Sequence, residues 1–325
     1  MNFDIGEDRR AFAASIDKLT SAADLPKIVR AWSAGERDTG LALYGRLGDM
    51  GVTGLLVDAA VGGVGGDTVD LIVALERLGY ACVPGPVVDT VAVAPVLLGA
   101  DDRAAALASG HALASVACST LMPRALDADM ASTVLYLGEQ HGSLAEVGAG
   151  HSSVDAGRTV FDVAAGARLD VDETTVRRAR ELGSLGTASY LLGAGLRLLE
   201  MSVEYATLRT QFGKPIGSFQ SVAHLLADTM IALELARPLV LGAALALDTG
   251  SSCAKRDVSA ARVACGTAAD RAARSALQAH GALGYTAEYD VSLYLTRIRA
   301  MGSAWGTARW HRGRIADALV AERAS

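Results

Sequence analysis

The chain has 325 residues and a formal net charge of −6 at pH 7, and 51% of its residues are hydrophobic whereas only 5% are aromatic. This length and apolar content suffice for two or three domains around a large core. The acidic balance argues against a nucleic-acid partner. No apolar run is long enough to span a bilayer and the amino terminus carries no secretory signal, so we expect a cytoplasmic protein.

The four cysteines, Cys82, Cys118, Cys253 and Cys265, are far apart in the sequence. None of them stands in C-x-x-C spacing, so the pattern indicates neither a zinc ribbon nor a redox pair. We expect reduced thiols that fill small buried spaces in an alanine-rich core.

Residues 1–110 predict an N-terminal helical domain. Apolar side chains recur at helical spacing over 40–50, 68–78 and 90–98, and glycine follows the first two of these stretches as a stop signal. We therefore expect several helices packed together, joined by short loops.

Glycines crowd residues 62–66, after an apolar stretch and before a predicted helix, which invites a dinucleotide-binding loop. That fingerprint needs glycine at three spaced positions, and counting from Gly63 the sixth position is Thr68. We therefore interpret this run as a flexible surface loop.

Residues 111–170 differ from the rest of the chain and predict a small β domain. Short alternating or apolar runs over 132–137, 143–147 and 159–163 are separated by glycine and aspartate turns, which is typical of strands. A span of this size is short for a complete β domain.

Residues 171–325 predict a C-terminal four-helix bundle. Long apolar helices are expected over 174–209, 219–249 and 256–281, followed by two shorter ones. Few of these helices carry charge on more than one face, which indicates that they bury one another. Pro238 lies inside the second helix, so we expect a kink there.

The connector between the first two bundle helices has the most informative sequence. It runs from Arg209 to Gln220 and reads Arg-Thr-Gln-Phe-Gly-Lys-Pro-Ile-Gly-Ser-Phe-Gln. Its glycines and proline stop one helix and start the next, which predicts a tight turn between antiparallel helices. An arginine at the end of a helix, followed by phenylalanine and glutamine, can hold an anion beside a flat ring.

This connector resembles a signature of the acyl-CoA dehydrogenase family. A second block, Gln-Ala-His-Gly-Ala-Leu-Gly-Tyr-Thr-Ala-Glu-Tyr over 278–289, resembles the family's other signature, at the expected spacing. The resemblance implies an acyl-CoA dehydrogenase-like fold, mainly α with a small β domain: an N-terminal helical domain, a truncated middle β-domain and the bundle. The loop and strand that cradle the flavin ring in the family are missing.

The resemblance also implies where a catalytic base would stand. In the family, a buried glutamate takes a proton from Cα of an acyl-CoA while a hydride passes from Cβ to FAD. An ungapped alignment from Tyr285 places Trp305 at that position, and an indole has no basic lone pair. Some relatives carry the base on the first bundle helix, where the matching position is Gly183; the nearby Glu181 is expected to be a solvated residue. We assign no catalytic residue.

The chain retains the residues with which the family grips the FAD of a neighbouring subunit, which we call the clamp. By resemblance, Arg209 would meet the pyrophosphate of an FAD held mainly by a neighbouring subunit, and Phe212 would pack near its flavin. Gln220 would bond near the adenine end, and Gln278 with the backbone at Gly281 would line the pyrophosphate path.

His224, His280 and His311 have no metal-ligating neighbour at the spacing of a metal site. We interpret them as core or interface residues and expect no metal.

These observations predict a degenerate subunit of a heteromeric FAD-dependent acyl-CoA dehydrogenase, most simply α₂β₂. A full-length partner subunit would supply the base and the flavin-ring pocket. The composition resembles that of actinobacterial enzymes for bulky CoA esters, including steroid fragments. Two alternatives stay open: a homomeric enzyme that uses Glu181 as base, and a flavin-free scaffold.

Overall fold

A computed structural model describes residues 4–324, and it is mainly helical with one small sheet. Eleven α-helices occur in this range. They are α1 Gly6–Ser21, α2 Leu25–Ser33, α3 Asp38–Asp49, α4 Thr68–Tyr80, α5 Ala94–Leu98 (continuing a π-helical turn, Asp89–Val93), α6 Asp102–Ala108, α7 Glu173–Leu208, α8 Gln220–Asp248, α9 Ala254–His280, α10 Val291–Met301 and α11 Ala308–Ala324. The predicted fold class is confirmed, and the predicted long bundle helices match α7, α8 and α9 within two residues at each end.

The middle of the chain forms a five-stranded sheet. Its strands are β1 Ala114–Cys118, β2 Arg124–Leu126, β3 Thr133–Leu137, β4 Gly142–Ser152 and β5 Thr159–Arg168, in the spatial order β1-β3-β4-β5-β2. Strands β1 and β3 are parallel, and the other pairs are antiparallel. The sequence prediction missed β1 and β2, because β1 is buried at all five positions and therefore shows no alternation.

The long helix α7 organises the molecule. It packs against α4, α8, α9 and α10, and every residue from 182 to 195 is buried. A helix that is buried on all sides needs small residues wherever another backbone approaches closely.

We keep the division at residues 110/111 and 170/171 as a proposal for the domain boundaries; residues 1–3 and 325 lie outside the described range.

The glycine run at residues 62–66 forms an exposed loop. Four backbone hydrogen bonds tie the loop to residues 54–58, including Gly66 N–H to Leu55 O at 2.7 Å and Val64 N–H to Gly54 O at 2.9 Å. The run is therefore a surface loop held by backbone hydrogen bonds, and its flexibility stays a prediction.

Helix α8 continues through Pro238 as one helix, and the expected kink stays a prediction. Within residues 4–324 it is the one helix whose length and composition would suit a membrane span, with a mean hydropathy of 1.8. This is weak evidence for a span, because Leu226, Leu233 and Val240 are buried in the bundle as in any core helix.

Three cysteines, Cys82, Cys118 and Cys265, are buried as expected, while Cys253 is half-buried. Burial raises the pKa of the Cys82 thiol to about 11 and that of Cys265 to about 12, so both stay protonated at neutral pH. They fill space in the core.

Helices α4 and α7 touch backbone to backbone through glycine. A Cβ built on Gly193 would lie 1.8 Å from Glu76 O, and one on Gly79 would lie 2.0 Å from Tyr190 O. Neither contact can relax by turning a flexible side chain, because the obstacle is backbone.

We expect Gly193→Ala to lower the free energy of unfolding by about 3 kcal/mol or more, because it forces the two helices apart. Urea denaturation measures the change. Gly45→Ala on α3 is the control, since no atom lies within 4 Å of its Cβ position and alanine favours a helix. Equal stability of the two variants would contradict this packing.

Candidate functional site

The connector that follows α7 forms a tight two-stranded hairpin. Strands β6 Thr210–Gln211 and β7 Lys214–Pro215 pair, and Ile216 N–H closes the loop onto Arg209 O at 2.8 Å. The two turn residues, Phe212 and Gly213, have φ values of 53° and 79°. This left-handed backbone suits a two-residue hairpin turn, and it is strained for phenylalanine. The turn presents Phe212 to solvent.

Phe212 is 93% exposed, and its ring meets only the edge of Phe219, with the centroids 6.2 Å apart. Together the two rings form one wall of a surface groove of about 340 Å³. The groove is lined by Gln211, Phe212, Ile216, Phe219, Ser221, Val222, Leu225, Gln278 and Ala279. The structure thus brings Phe212 and Gln278 of the predicted clamp to one groove.

The other clamp residues surround this groove without lining it. Arg209 ends α7 and is exposed, and no ion pair or side-chain hydrogen bond of its guanidinium occurs within residues 4–324. Gln220 begins α8 and is also exposed. Gly281 ends α9 with φ 60° and ψ −136°, and nothing lies within 4 Å of its Cβ position. The backbone at Gly281 is therefore open to close approach.

This surface fits the outer part of a dinucleotide cofactor. An unpaired guanidinium can bind a diphosphate through two parallel hydrogen bonds, and an exposed aromatic ring can cover a flat ring. The groove lies at the surface between the hairpin and the helices α8 and α9.

Trp305, at the predicted base position, lies in the core and is 1% exposed. Its indole lies directly over Gly183, where an added Cβ would come within 2.4 Å of the ring. Its Nε1 donates to Asp89 Oδ1 at 3.1 Å, and the other oxygen of Asp89 accepts from Val116 N–H at 3.1 Å. The two positions at which the family carries its base, 305 and 183, therefore lie against each other.

Burial raises the pKa of Asp89 to about 7, while its two hydrogen bonds oppose that rise. Sequence reasoning missed this residue. An isolated carboxylate within the apolar stretch 87–98 was the available signal, since such a residue needs a buried partner.

An ion pair fills the space beside Trp305. Arg297 Nε donates to Asp155 Oδ2 at 2.5 Å, and Arg297 Nη1 donates to the hydroxyl of Tyr190 at 2.8 Å and to Val83 O at 3.0 Å. Arg297 is 1% exposed. This pair joins the sheet region to α10 and α7.

The cavity that remains between Trp305, Asp89, Arg297 and Arg158 is about 20 Å³. A space of that size holds about one water molecule. A flavin ring or an acyl chain at the base position does not fit, because tryptophan and arginine side chains occupy the volume.

Glu181, the alternative base, is an ion-pair residue. Its side chain is 14% exposed and its carboxylate accepts from Arg314, which is 7% exposed. The expectation of a solvated residue was wrong, because α11 folds back over α7 at this point. Burial raises the pKa of Glu181, and the guanidinium opposes that rise.

The three histidines differ in their surroundings. His280 is buried, stacks on Tyr205 with centroids 4.4 Å apart and bonds Ala276 O through Nδ1. His311 is fully buried, and burial lowers its pKa to about 3. His224 is exposed on α8, so the core interpretation fails there and only an interface role remains as a prediction. No metal-binding cluster occurs among the described residues.

Comparisons with known proteins agree with this architecture. A model of the acyl-CoA dehydrogenase N-terminal domain matches residues 6–103, and one of the C-terminal domain matches residues 175–320. The acyl-CoA dehydrogenase IpdE2 of Mycobacterium tuberculosis is 32% identical over 92% of both chains. FadE34 of the same organism is 31% identical over 86% of this chain but only 42% of its own length.

Solved structures show the same fold. The ChsE4-ChsE5 complex of Mycobacterium tuberculosis superposes with a TM-score of 0.83 at 22% identity, covering 98% of this chain and 99% of the other. A Tcur3481-Tcur3483 steroid ACAD variant gives 0.85 at 19% identity, covering 99% and 100%. The chain therefore belongs to the acyl-CoA dehydrogenase family, whose members are FAD-dependent oxidoreductases.

Proposed function

We propose that this chain is the non-catalytic subunit of a heteromeric acyl-CoA dehydrogenase. A full-length partner subunit supplies the catalytic glutamate and the pocket for the flavin ring. When bound there, FAD accepts the hydride from Cβ of the acyl-CoA. This chain contributes Arg209, Phe212, Gln220, Gln278 and Gly281 to the grip on the ADP half of that FAD.

The contact between Trp305 and Gly183 carries the proposal. A base must reach the α-proton of a bound thioester, yet both family positions for it lie against each other in a core whose remaining cavity is about 20 Å³. Asp89, which touches this tryptophan, is walled in by the same side chains. Proton abstraction is therefore left to the partner.

The open clamp supports a cofactor shared between chains. Arg209 carries an unpaired charge at the surface, and Phe212 accepts a strained backbone while remaining 93% exposed. Strain of this kind costs on the order of 1–3 kcal/mol and persists where function requires it. A cofactor that extends from the partner would cover both side chains.

A strip of apolar side chains on α8 supports a subunit interface. Met230, Ile231, Leu235 and Leu239 are between 42% and 67% exposed, on a helix whose other face is buried in the bundle. Exposed apolar surface of this kind marks an interaction site. Gln220 of the clamp and this strip lie on the same helix, so a partner seated along α8 would cover both.

Two structural neighbours carry paired names, the ChsE4-ChsE5 complex and the Tcur3481-Tcur3483 steroid ACAD. By analogy, we propose an α₂β₂ assembly in the cytoplasm that dehydrogenates a bulky, steroid-derived CoA ester.

Co-expression with full-length acyl-CoA dehydrogenases from the same genome tests the proposal. We expect a yellow complex with half as many FAD molecules as chains, and no flavin on this chain alone. A yellow homomeric chain that oxidises an acyl-CoA would refute it, and a complex without FAD would favour a scaffold.

Arg209→Lys in the complex should weaken FAD retention about tenfold to a hundredfold, because lysine keeps the charge but loses the paired hydrogen bonds to a diphosphate. Flavin content after dialysis measures the loss. Arg46→Lys, at an exposed arginine on α3, is the control. Equal retention in both variants would count against this role for Arg209.

Glu181→Gln should leave kcat and KM of the complex unchanged while it lowers the unfolding midpoint, because Arg314 loses a buried counter-charge. Steady-state kinetics and thermal melting measure the two effects. A large loss of kcat in a folded variant would support the homomeric alternative.

Leu235→Glu should abolish co-purification with the partner without unfolding this chain, because it places a charge on the apolar strip. Val320→Glu on α11 is a matched control, since Val320 is 69% exposed and Leu235 is 67% exposed. Retention of the complex by Leu235→Glu would show that the strip is not the interface.

A further inference from the structure

An open cleft of about 880 Å³ lies where the β4–β5 connection, α9, α10 and the start of α11 meet. Four arginines line it, Arg262, Arg274, Arg299 and Arg312, against a single acid, Asp270. Arg274 pairs with Asp270 at 2.9 Å. Three positive charges therefore remain in this cleft, although the whole chain is acidic.

Arg262 is the deepest of the three and is 2% exposed. Its Nη2 donates to three carbonyl oxygens, those of Met301 at 2.9 Å, Gly302 at 3.1 Å and Ala304 at 3.0 Å. Its Nε is buried without a partner, and no carboxylate within residues 4–324 pairs with this guanidinium. These carbonyl oxygens lie at the C-terminal end of α10, so they fix the guanidinium and balance part of its charge, but no carboxylate does so.

The Nη1 side of Arg262 points toward the cleft wall at Gly266. A Cβ at that position would lie 2.7 Å from Nη1, so glycine leaves the nitrogen uncovered. Arg299 and Arg312 are exposed, and neither forms an ion pair or side-chain hydrogen bond with any described residue. All three guanidinium groups therefore have donors available to the cleft.

A buried cation without a carboxylate partner is costly to keep out of water. Burial lowers the pKa of Arg262 to about 10, so the group still carries its charge at pH 7. An anion with several acceptor oxygens would match the donors that Arg262, Arg299 and Arg312 present here.

We propose that this cleft binds a small molecule through its diphosphate group. Planar guanidinium groups match phosphate oxygens with paired hydrogen bonds, and three of them suit a group that carries two or three negative charges. The volume lies within the range of small-molecule sites, about 300–1,000 Å³. The cleft shares no lining residue with the clamp groove, so this proposal does not depend on the proposed function.

Calorimetric titration of the full chain, in the assembly in which it purifies, tests the proposal with inorganic pyrophosphate and with ADP as probes. We expect saturable binding that the double variant Arg299→Gln/Arg312→Gln weakens at least about tenfold. Arg309→Gln is the matched control, because Arg309 is exposed in the first turn of α11 but does not line the cleft. Arg262 is left intact, since its removal would disturb the fold.

Gly266→Ala gives a second test that keeps every charge. Its methyl group would crowd Arg262 Nη1, and we expect it to weaken pyrophosphate binding several-fold while the melting temperature without ligand stays close to that of the unmodified chain.

Tighter binding of ADP than of pyrophosphate would identify a nucleotide as the source of the diphosphate, and the reverse order would identify free diphosphate. The proposal fails if neither probe binds, or if Arg309→Gln weakens binding as much as the double variant. It also fails if poly-glutamate displaces pyrophosphate at lower charge concentration, because the occupant would then be an acidic protein segment.

Discussion

The stacking of Trp305 on Gly183 is the contact on which the rest of this molecule depends. The ring leaves 2.4 Å for a Cβ at position 183, so any side chain there would displace the indole. The indole in turn donates to Asp89, so a smaller residue at 305 would leave a cavity and a buried carboxyl oxygen without that donor. A glutamate at position 183 would therefore clash with the indole. The two positions are coupled, and together they close the core.

The core beside Trp305 contains a buried ion pair, Arg297 with Asp155, instead of apolar side chains. Burying Arg297 and Asp155 takes two charges out of water, and such a pair gains little over well-packed apolar residues. The pair does, however, connect the sheet region to α10, and Arg297 also bonds Tyr190 on α7 and Val83. These bonds fix how three parts of the chain meet, which in turn fixes α7 and the hairpin that follows it.

Sequence patterns predicted the parts of the fold whose information is local. Helical spacing predicted the bundle helices, and the glycines and proline of the connector predicted the tight turn between α7 and α8. Local patterns could not predict the buried ion pair, because Asp155 and Arg297 lie 142 residues apart in the sequence. Glu181 was misjudged for the same reason, since its partner Arg314 lies on the last helix. Strand β1 was missed because uniform burial removes the alternation that indicates a strand.

Some charged side chains of this molecule are buried with hydrogen-bond partners, and some are exposed without them. We relate the first kind to stability and the second to binding. Inside, Arg297 has its carboxylate and Asp89 has two donors, so these groups serve the fold. At the surface, Arg209 has no partner among the described residues, and neither has Arg312 in the cleft. A guanidinium in water costs the fold little, whereas Phe212 combines a strained backbone with a 93% exposed ring that contacts Phe219. The strain at Phe212 and the exposure of its ring are the features of this hairpin for which the proposed contact with a cofactor outside the chain would account.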